Sequence, residues 1–342
     1  MKNIPLSVIL ASASVALIIS VLLGISLGAV NIPLETVWSI MLNKISPDLI
    51  NETWSKGREA IVWEIRTPRV LLACLVGAGL SLVGASLQSI TRNPVADPHL
   101  LGISSGAAFG AILAILHTGY FLGLLTVPLL AFIGAILATA IVVGITRLTE
   151  SHSAERLVLT GVAVSFVIMA AANLLIFLGD PHATHAVVFW MLGGLGLAQW
   201  EHLIYPFAVL LISSIFLMVN AGRLNALTIG DETAATMGIN VNRFRLWIFA
   251  FSALITGVMV AFSGMIGFVG LIIPHVARMI VGGDNRRVLP TATIFGSIFL
   301  LWADLLARKI MQPEDMPIGI LTGFFGGLFF IWLLRQNKRS HS

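Results

Sequence analysis

Between Arg69 and Arg92 the chain reads Val70-Leu-Leu-Ala-Cys-Leu-Val-Gly-Ala-Gly-Leu-Ser-Leu-Val-Gly-Ala-Ser-Leu-Gln-Ser-Ile-Thr91, with no carboxylate, lysine, arginine or histidine. A helix rising about 1.5 Å per residue needs about 20 such residues to cross the hydrocarbon core of a bilayer. The stretch is therefore read as a transmembrane helix, and it sets the pattern for the rest. Working outward from charge to charge, comparable runs occupy 6–30 before it and 98–118, 121–146, 157–179, 203–222, 246–265, 266–281, 288–307 and 316–334 after it. The expectation is an all-α membrane protein of ten transmembrane helices, folded as one transmembrane domain over 1–342. The eighth span is short and contains Pro274, and Gly119, Gly123 and Pro128 divide the 98–146 stretch.

Composition agrees. The chain is 57% hydrophobic with mean hydropathy +0.97 and only 11% charged, against about 25% charged in a soluble domain. Its net charge of +4 does not point to nucleic acid, because the basic residues stand in short loops between apolar runs. The single cysteine, Cys74, excludes an intramolecular disulfide framework and a cysteine metal site. Leu6 to Val30 is too long for a signal-peptide core and lacks a cleavage site, so it is expected to remain as an anchor. The 32 glycines suit helices that pack closely through small residues. Placing the N-terminus in the cytoplasm puts thirteen of the twenty lysines and arginines on that side, so both termini are expected to be cytoplasmic.

The sequence also bears on how any transport by such a bundle would be driven. Ion-coupled transporters place carboxylates or histidines at mid-membrane. These spans are almost free of them: Asp304 is one helical turn from Arg308, which reads as a local pair near the outer surface, and His117 and His275 lie near span ends. No lysine follows a glycine and precedes serine or threonine, so the chain has no Walker-type phosphate loop. If the chain transports actively, its energy comes from another subunit, which must grip a cytoplasmic feature. The loop from about 223 to 245 offers one. Within it Gly230-Asp231-Glu232-Thr233-Ala234-Ala235-Thr236-Met237-Gly238 reads as a short helix, with acids in its first turn and a glycine stop, and Asn240 reads as the cap of the next helix.

Other features have plainer readings. Gly102-Ile103-Ser104-Ser105-Gly106 fits the serine-nucleophile pattern but lacks the strand that a hydrolase elbow requires, so close helix packing is preferred. His182 and His185 read as solvated residues of a loop beyond Asp180-Pro181. The apolar segment Phe189 to Gly194, with Trp190 and Met191, is too short to span.

Taken in order along nearly the whole chain, several motifs resemble the FecCD family, the permeases for iron chelates, haem and cobalamin. They are Arg66-Thr67-Pro68-Arg69; Asn93-Pro94-Val95-Ala96-Asp97-Pro98 with Leu101-Gly102; Gly267-Phe268-Val269-Gly270-Leu271 with Ile273-Pro274-His275; Ala303-Asp304 with Arg308; and Pro317-Ile318-Gly319. The resemblance implies a type II ABC importer permease architecture in a bacterial inner membrane, with a second permease copy, two ATP-binding cassette subunits and a periplasmic substrate-binding protein. It implies no cofactor or metal in this chain and no catalysis by it, ATP and Mg being used by the partner ATPase. It assigns Gly230–Gly238 to ATPase coupling and Arg66, Arg69 and Arg308 to docking of acidic residues on the binding protein. It looks like a half-helix around Trp190 and Met191 at the outer mouth. Where cobalamin-type relatives carry small hydroxyl residues at a cytoplasmic gate, this chain has Ala154-Glu155, which weighs against cobalamin. The expected cargo is a ferric siderophore or haem. The alternatives are an ion-coupled secondary transporter, or import of cobalamin or an oxyanion by the same architecture.

Overall fold

The computed structural model describes residues 4–46, 52–98, 102–148, 154–312 and 314–339, the side chains of 154, 155 and 334–339 excepted. The fold is all-helical. Its elements are α1 (Leu6–Ser26), α2 (Leu34–Ile45), α3 (Lys56–Ala60), α4 (Thr67–Thr91), α5 (Ile103–Leu113), α6 (Thr126–Leu148), α7 (Ala154–Leu178), α8 (Pro181–Met191), α9 (Ile204–Val219), α10 (Ala221–Ile229), α11 (Asp231–Thr236), α12 (Val241–Ser263), α13 (Val269–Val281), α14 (Asn285–Ile310) and α15 (Ile318–Arg339). A π-helical turn, Ile61–Arg66, joins α3 to α4, and another, Ala114–Thr118, extends α5.

Among the described residues, seven helices are long and apolar enough to cross a bilayer, and three shorter apolar ones, 103–118, 269–281 and 318–333, accompany them. Together they account for the ten spans read from the sequence. The differences lie at chain reversals. Residues 121–124 are extended and helix resumes only at Thr126, because Gly119 and Gly123 take positive φ and the Leu122 N–H donates to Thr126 Oγ1 at 2.8 Å. Residues 182–185 are helical rather than a loop. Pro181 stands at the first helical position, and the Asp180 carboxylate accepts from the His182 N–H at 2.9 Å.

The helices form a centre and a periphery. The apolar window of α4 is 83% buried, whereas that of α7 is 17%. Around α4 lie α12, α13 and α14, and glycines set how closely they approach. A Cβ at Gly77 would collide with the carbonyl oxygen of Gly296 on α14, and one at Gly84 with that of Gly270 on α13. α4 and α14 thus touch backbone to backbone, where hydrocarbon supplies no hydrophobic drive and close dispersion contact must hold the helices. Ser297 Oγ adds a hydrogen bond to the Cys74 carbonyl at 2.9 Å, and Ser89 Oγ lies 2.9 Å from Asn285 Oδ1 near the far end.

Candidate functional sites at the two ends of α4

At the first end of α4 the π-helical turn delivers Arg66, and Thr67-Pro68 start the helix with Arg69 on its first turn. The Thr67 hydroxyl closes the junction by donating to the Val62 carbonyl at 2.6 Å. A π turn shifts the helical register, and here it aims Arg66 away from Arg69, at the end of α1. Arg66 Nη1 donates to the Ile25 and Ser26 carbonyls, both at 2.9 Å, and Nη2 to that of Val30 at 2.5 Å. A Cβ at Gly28 would occupy the place of this guanidinium. Arg308 reaches the same helix end, Nη2 donating to the Gly24 carbonyl at 3.2 Å and Nη1 to Leu27 at 3.4 Å. Two arginines therefore gather the carbonyls that α1 leaves open at its negative pole.

Carboxylates complete the cluster. Arg69 Nε donates to Asp304 Oδ1 at 2.9 Å, and its Nη1 to Asp315 Oδ2 at 2.5 Å. Asp304 Oδ2 stands 3.0 Å from Arg308 Nε, within ion-pair distance but poorly aligned for a hydrogen bond. The i,i+4 pair read from the sequence is present, and Arg69 joins it from a position 235 residues away. Three guanidiniums face two carboxylates, leaving one positive charge in excess. The three arginines are at most 7% exposed, whereas the Asp315 side chain is 42% exposed. The structure thus brings the three predicted docking residues together, but their side chains point inward and Asp315 is the most open member.

At the other end of α4, Arg92 takes a left-handed conformation and ends the helix. Beside it lies the segment that the sequence singled out. α11 runs from Asp231 to Thr236 between Gly230 and Gly238, whose φ is 81°, and the Ile239 N–H reaches back to the Ala234 carbonyl at 3.1 Å. This is a glycine-terminated stop of the kind expected. Asn240 caps α12 by accepting from the Arg243 N–H at 3.1 Å. Ala234 is fully buried, while Glu232, Thr233, Ala235, Thr236 and Met237 are exposed. Asp231 differs from its neighbour Glu232. Arg245 Nη2 donates to both its oxygens at 2.9 Å, and Arg92 Nη2 is 3.6 Å away. One carboxylate thus ties α11 to the start of α12 and the end of α4. Asn225 on α10 adds a second tie, donating to Asp284 Oδ1 at 2.6 Å and accepting from the Asn285 N–H at 2.8 Å. The Asp284 carboxyl is held below its ordinary range, first by the Arg286 backbone N–H and then by this amide. The Asn225 contact was missed in the sequence because nothing local marks an asparagine whose partner lies about 60 residues on.

A third feature joins interrupted helices. Where α8 ends, the Gly194 N–H donates to the Ser263 carbonyl at 2.8 Å. The N–H groups of Ile318 and Gly319 donate to the Gly193 and Leu192 carbonyls at 2.9 and 3.0 Å. Trp190 and Met191 are half-buried against Ala108, Ile112, Ala172 and Val187, so they pack within the body. His182 and His185 are exposed on α8. The side chains of Ala154 and Glu155 lie outside the described residues. Gly106 is in contact with Gly134 of α6, which accounts for the 102–106 motif by packing. Among the described residues no cluster of three or more metal-ligating side chains occurs.

Comparison with known proteins agrees with this architecture. The model of the FecCD transport family matches residues 16–336. The hemin transport system permease protein HmuU of Yersinia pestis is 37% identical, covering 96% of this chain and 95% of that protein. A probable iron chelatin transport system permease protein of Helicobacter pylori is 38% identical, covering 96% and 98%. A solved structure described as an inward-facing metal-chelate type ABC transporter superposes with a TM-score of 0.82 at 30% identity, covering 96% of this chain and 99% of that one. With ten apolar helices among the described residues, in the expected order, and a match across nearly its full length, the chain belongs to the FecCD transport family.

Proposed function

We propose that this chain, a multi-pass permease subunit of an ABC importer, carries a ferric siderophore or haem across a bacterial inner membrane, with both termini in the cytoplasm. In this reading it pairs with a second copy of itself and with two ATPase subunits that use ATP and Mg, and a periplasmic binding protein delivers the cargo. Neither ATP nor metal is held by this chain. The observation that carries the reading is the α10–α11 segment. It has an exposed outer surface bearing Ile229, Glu232 and Met237 and is fastened to the body through Asp231 and Asn225. A rigid knob tied to three membrane helices is what a separate motor needs in order to move them.

The argument for the two ends then follows from charge and exposure. The ATPase grips the outward side of α10–α11, and its closure pulls on α4, α12 and α14 through the Asp231 and Asn225 contacts. At the opposite end the positive excess around Arg66, Arg69 and Arg308 receives acidic residues of the binding protein, a contact that steers docking and weakens with salt. The exposed faces of α7 and α15 are left to border the passage with the second copy. Iron chelates are favoured over cobalamin because the hemin and iron chelatin relatives match over 96% of this chain, against 82% and 84% for two cobalamin permeases. The test is uptake into vesicles holding permease, ATPase and binding protein. Labelled haem or ferric siderophore should accumulate only with internal ATP, and an uncoupler should leave uptake intact. Accumulation by this chain alone, or collapse on uncoupling with ATP present, would overturn the reading in favour of an ion-coupled carrier.

A further inference from the structure

The docking cluster contains a carboxylate that its architecture does not need. Asp304 is nearly fully buried, lies between Arg69 and Arg308, and neutralises charge that would otherwise be stranded. Asp315 is different. Among the described residues its ion pair is with Nη1 of Arg69, and its side chain is 42% exposed where that of Arg69 is 9%. Its backbone neighbours are fixed without it. The Met316 N–H donates to the Ala307 carbonyl at 3.2 Å, and the N–H groups of Ile318 and Gly319 are held by Gly193 and Leu192. The backbone here is therefore held by hydrogen bonds that do not involve the Asp315 carboxylate. Gly196 passes beside the pair, and a Cβ there would sit 3.8 Å from Arg69 Nη1 and 3.9 Å from Asp315 Oδ2, so this residue lays no side chain across the contact.

We propose that Asp315 is a built-in competitor at the docking site. It occupies Nη1 of Arg69 until a carboxylate of the binding protein displaces it. This rests on the docking reading above and adds to it a residue that sets affinity. An ion pair half open to water is weak enough to be exchanged, whereas the buried Arg69–Asp304 contact is not. Without the competitor the free permease would present an additional unpaired positive charge to any acidic surface. With it, the cluster yields only to a partner whose carboxylate arrives with further contacts.

The experiment measures the affinity of the binding protein that supports uptake by this transporter for the permease–ATPase complex in lipid nanodiscs, over a range of salt. Asp315→Asn should tighten binding about fivefold at low salt. Glu314→Gln removes the same charge from the adjacent exposed residue and should change binding by less than about twofold. Asp315→Glu should restore near wild-type affinity. Equal tightening by Asp315→Asn and Glu314→Gln would reduce the effect to net charge and overturn the proposal. Salt-sensitive binding that Asp315→Asn leaves unchanged would also overturn it while leaving docking at the cluster intact. Binding indifferent both to salt and to every variant would remove the docking reading itself. Thermal unfolding of each complex checks that the variants fold. Should Asp315→Asn fail that check, Gly196→Leu supplies the second arm: it covers the pair and should weaken docking.

Discussion

The two ends of α4 use the same chemistry in different surroundings. At one end Arg69 meets Asp304 with side chains 9% and 1% exposed, and at the other Arg92 faces Asp231 with side chains 49% and 40% exposed. Burial decides what each contact can do. A charge pair shielded from water is hard to break, because removing one partner strands the other in a medium that solvates it badly. A pair open to water is worth little and exchanges readily. The helix is thus anchored firmly at one end and loosely geared at the other, with Arg245, its side chain 3% exposed, as an intermediate case on the same aspartate.

The comparison is broken most directly by Asp304→Ala. Arg69 keeps only the half-exposed Asp315, and Arg308 loses its carboxylate, so the folded state should lose about 3–5 kcal/mol, read as a fall in the detergent unfolding midpoint and in membrane yield. Next comes Gly77→Val in the middle of α4. The new side chain collides with the Gly296 carbonyl, and forcing the helices apart should cost about 1–3 kcal/mol, with loss of the Ser297–Cys74 hydrogen bond. Asp231→Asn should cost about 1–2 kcal/mol through the weakened Arg245 contact. Its larger effect should be functional: uptake per ATP hydrolysed falls while the ATPase still binds, because Glu232 and Met237 are untouched. Loss of ATPase binding instead would mean that Asp231 faces the partner. Smallest is Arg92→Gln, expected to change stability by under about 0.5 kcal/mol. A change as large as that of Asp304→Ala would erase the distinction between the two ends.

Much of this was legible in the sequence, for a physical reason. A span is marked by the absence of charge over a length that the bilayer sets, so all ten apolar segments could be counted, with errors confined to their boundaries. The α11 helix was also legible, because an acidic first turn, a positive-φ glycine and an asparagine cap act within a few residues of one another. The Asp304–Arg308 pair needs only helical periodicity. What could not be read was which distant groups meet. Nothing near Arg66 in the chain announces that it caps α1, nothing near Asn225 points to Asp284, and glycine counts do not say that Gly77 faces Gly296. The three arginines were found through family resemblance and flanking position. The inward direction of Arg66 and Arg308 depends on a helix end 40 or more residues away, and that of Arg69 on Asp304, 235 residues on.

The carbonyls at the end of α1 give the molecule an order of completion. That helix precedes two of the donors for its last turn, which come from Arg66, 41 residues after Ile25, and from Arg308, 284 residues after Gly24. Until those residues are made, water at the membrane surface must serve the Gly24 and Ile25 carbonyls. The end of α1 therefore stays provisional until α14 emerges and puts it in its final place. Defects late in the sequence should accordingly surface as loosening at the beginning.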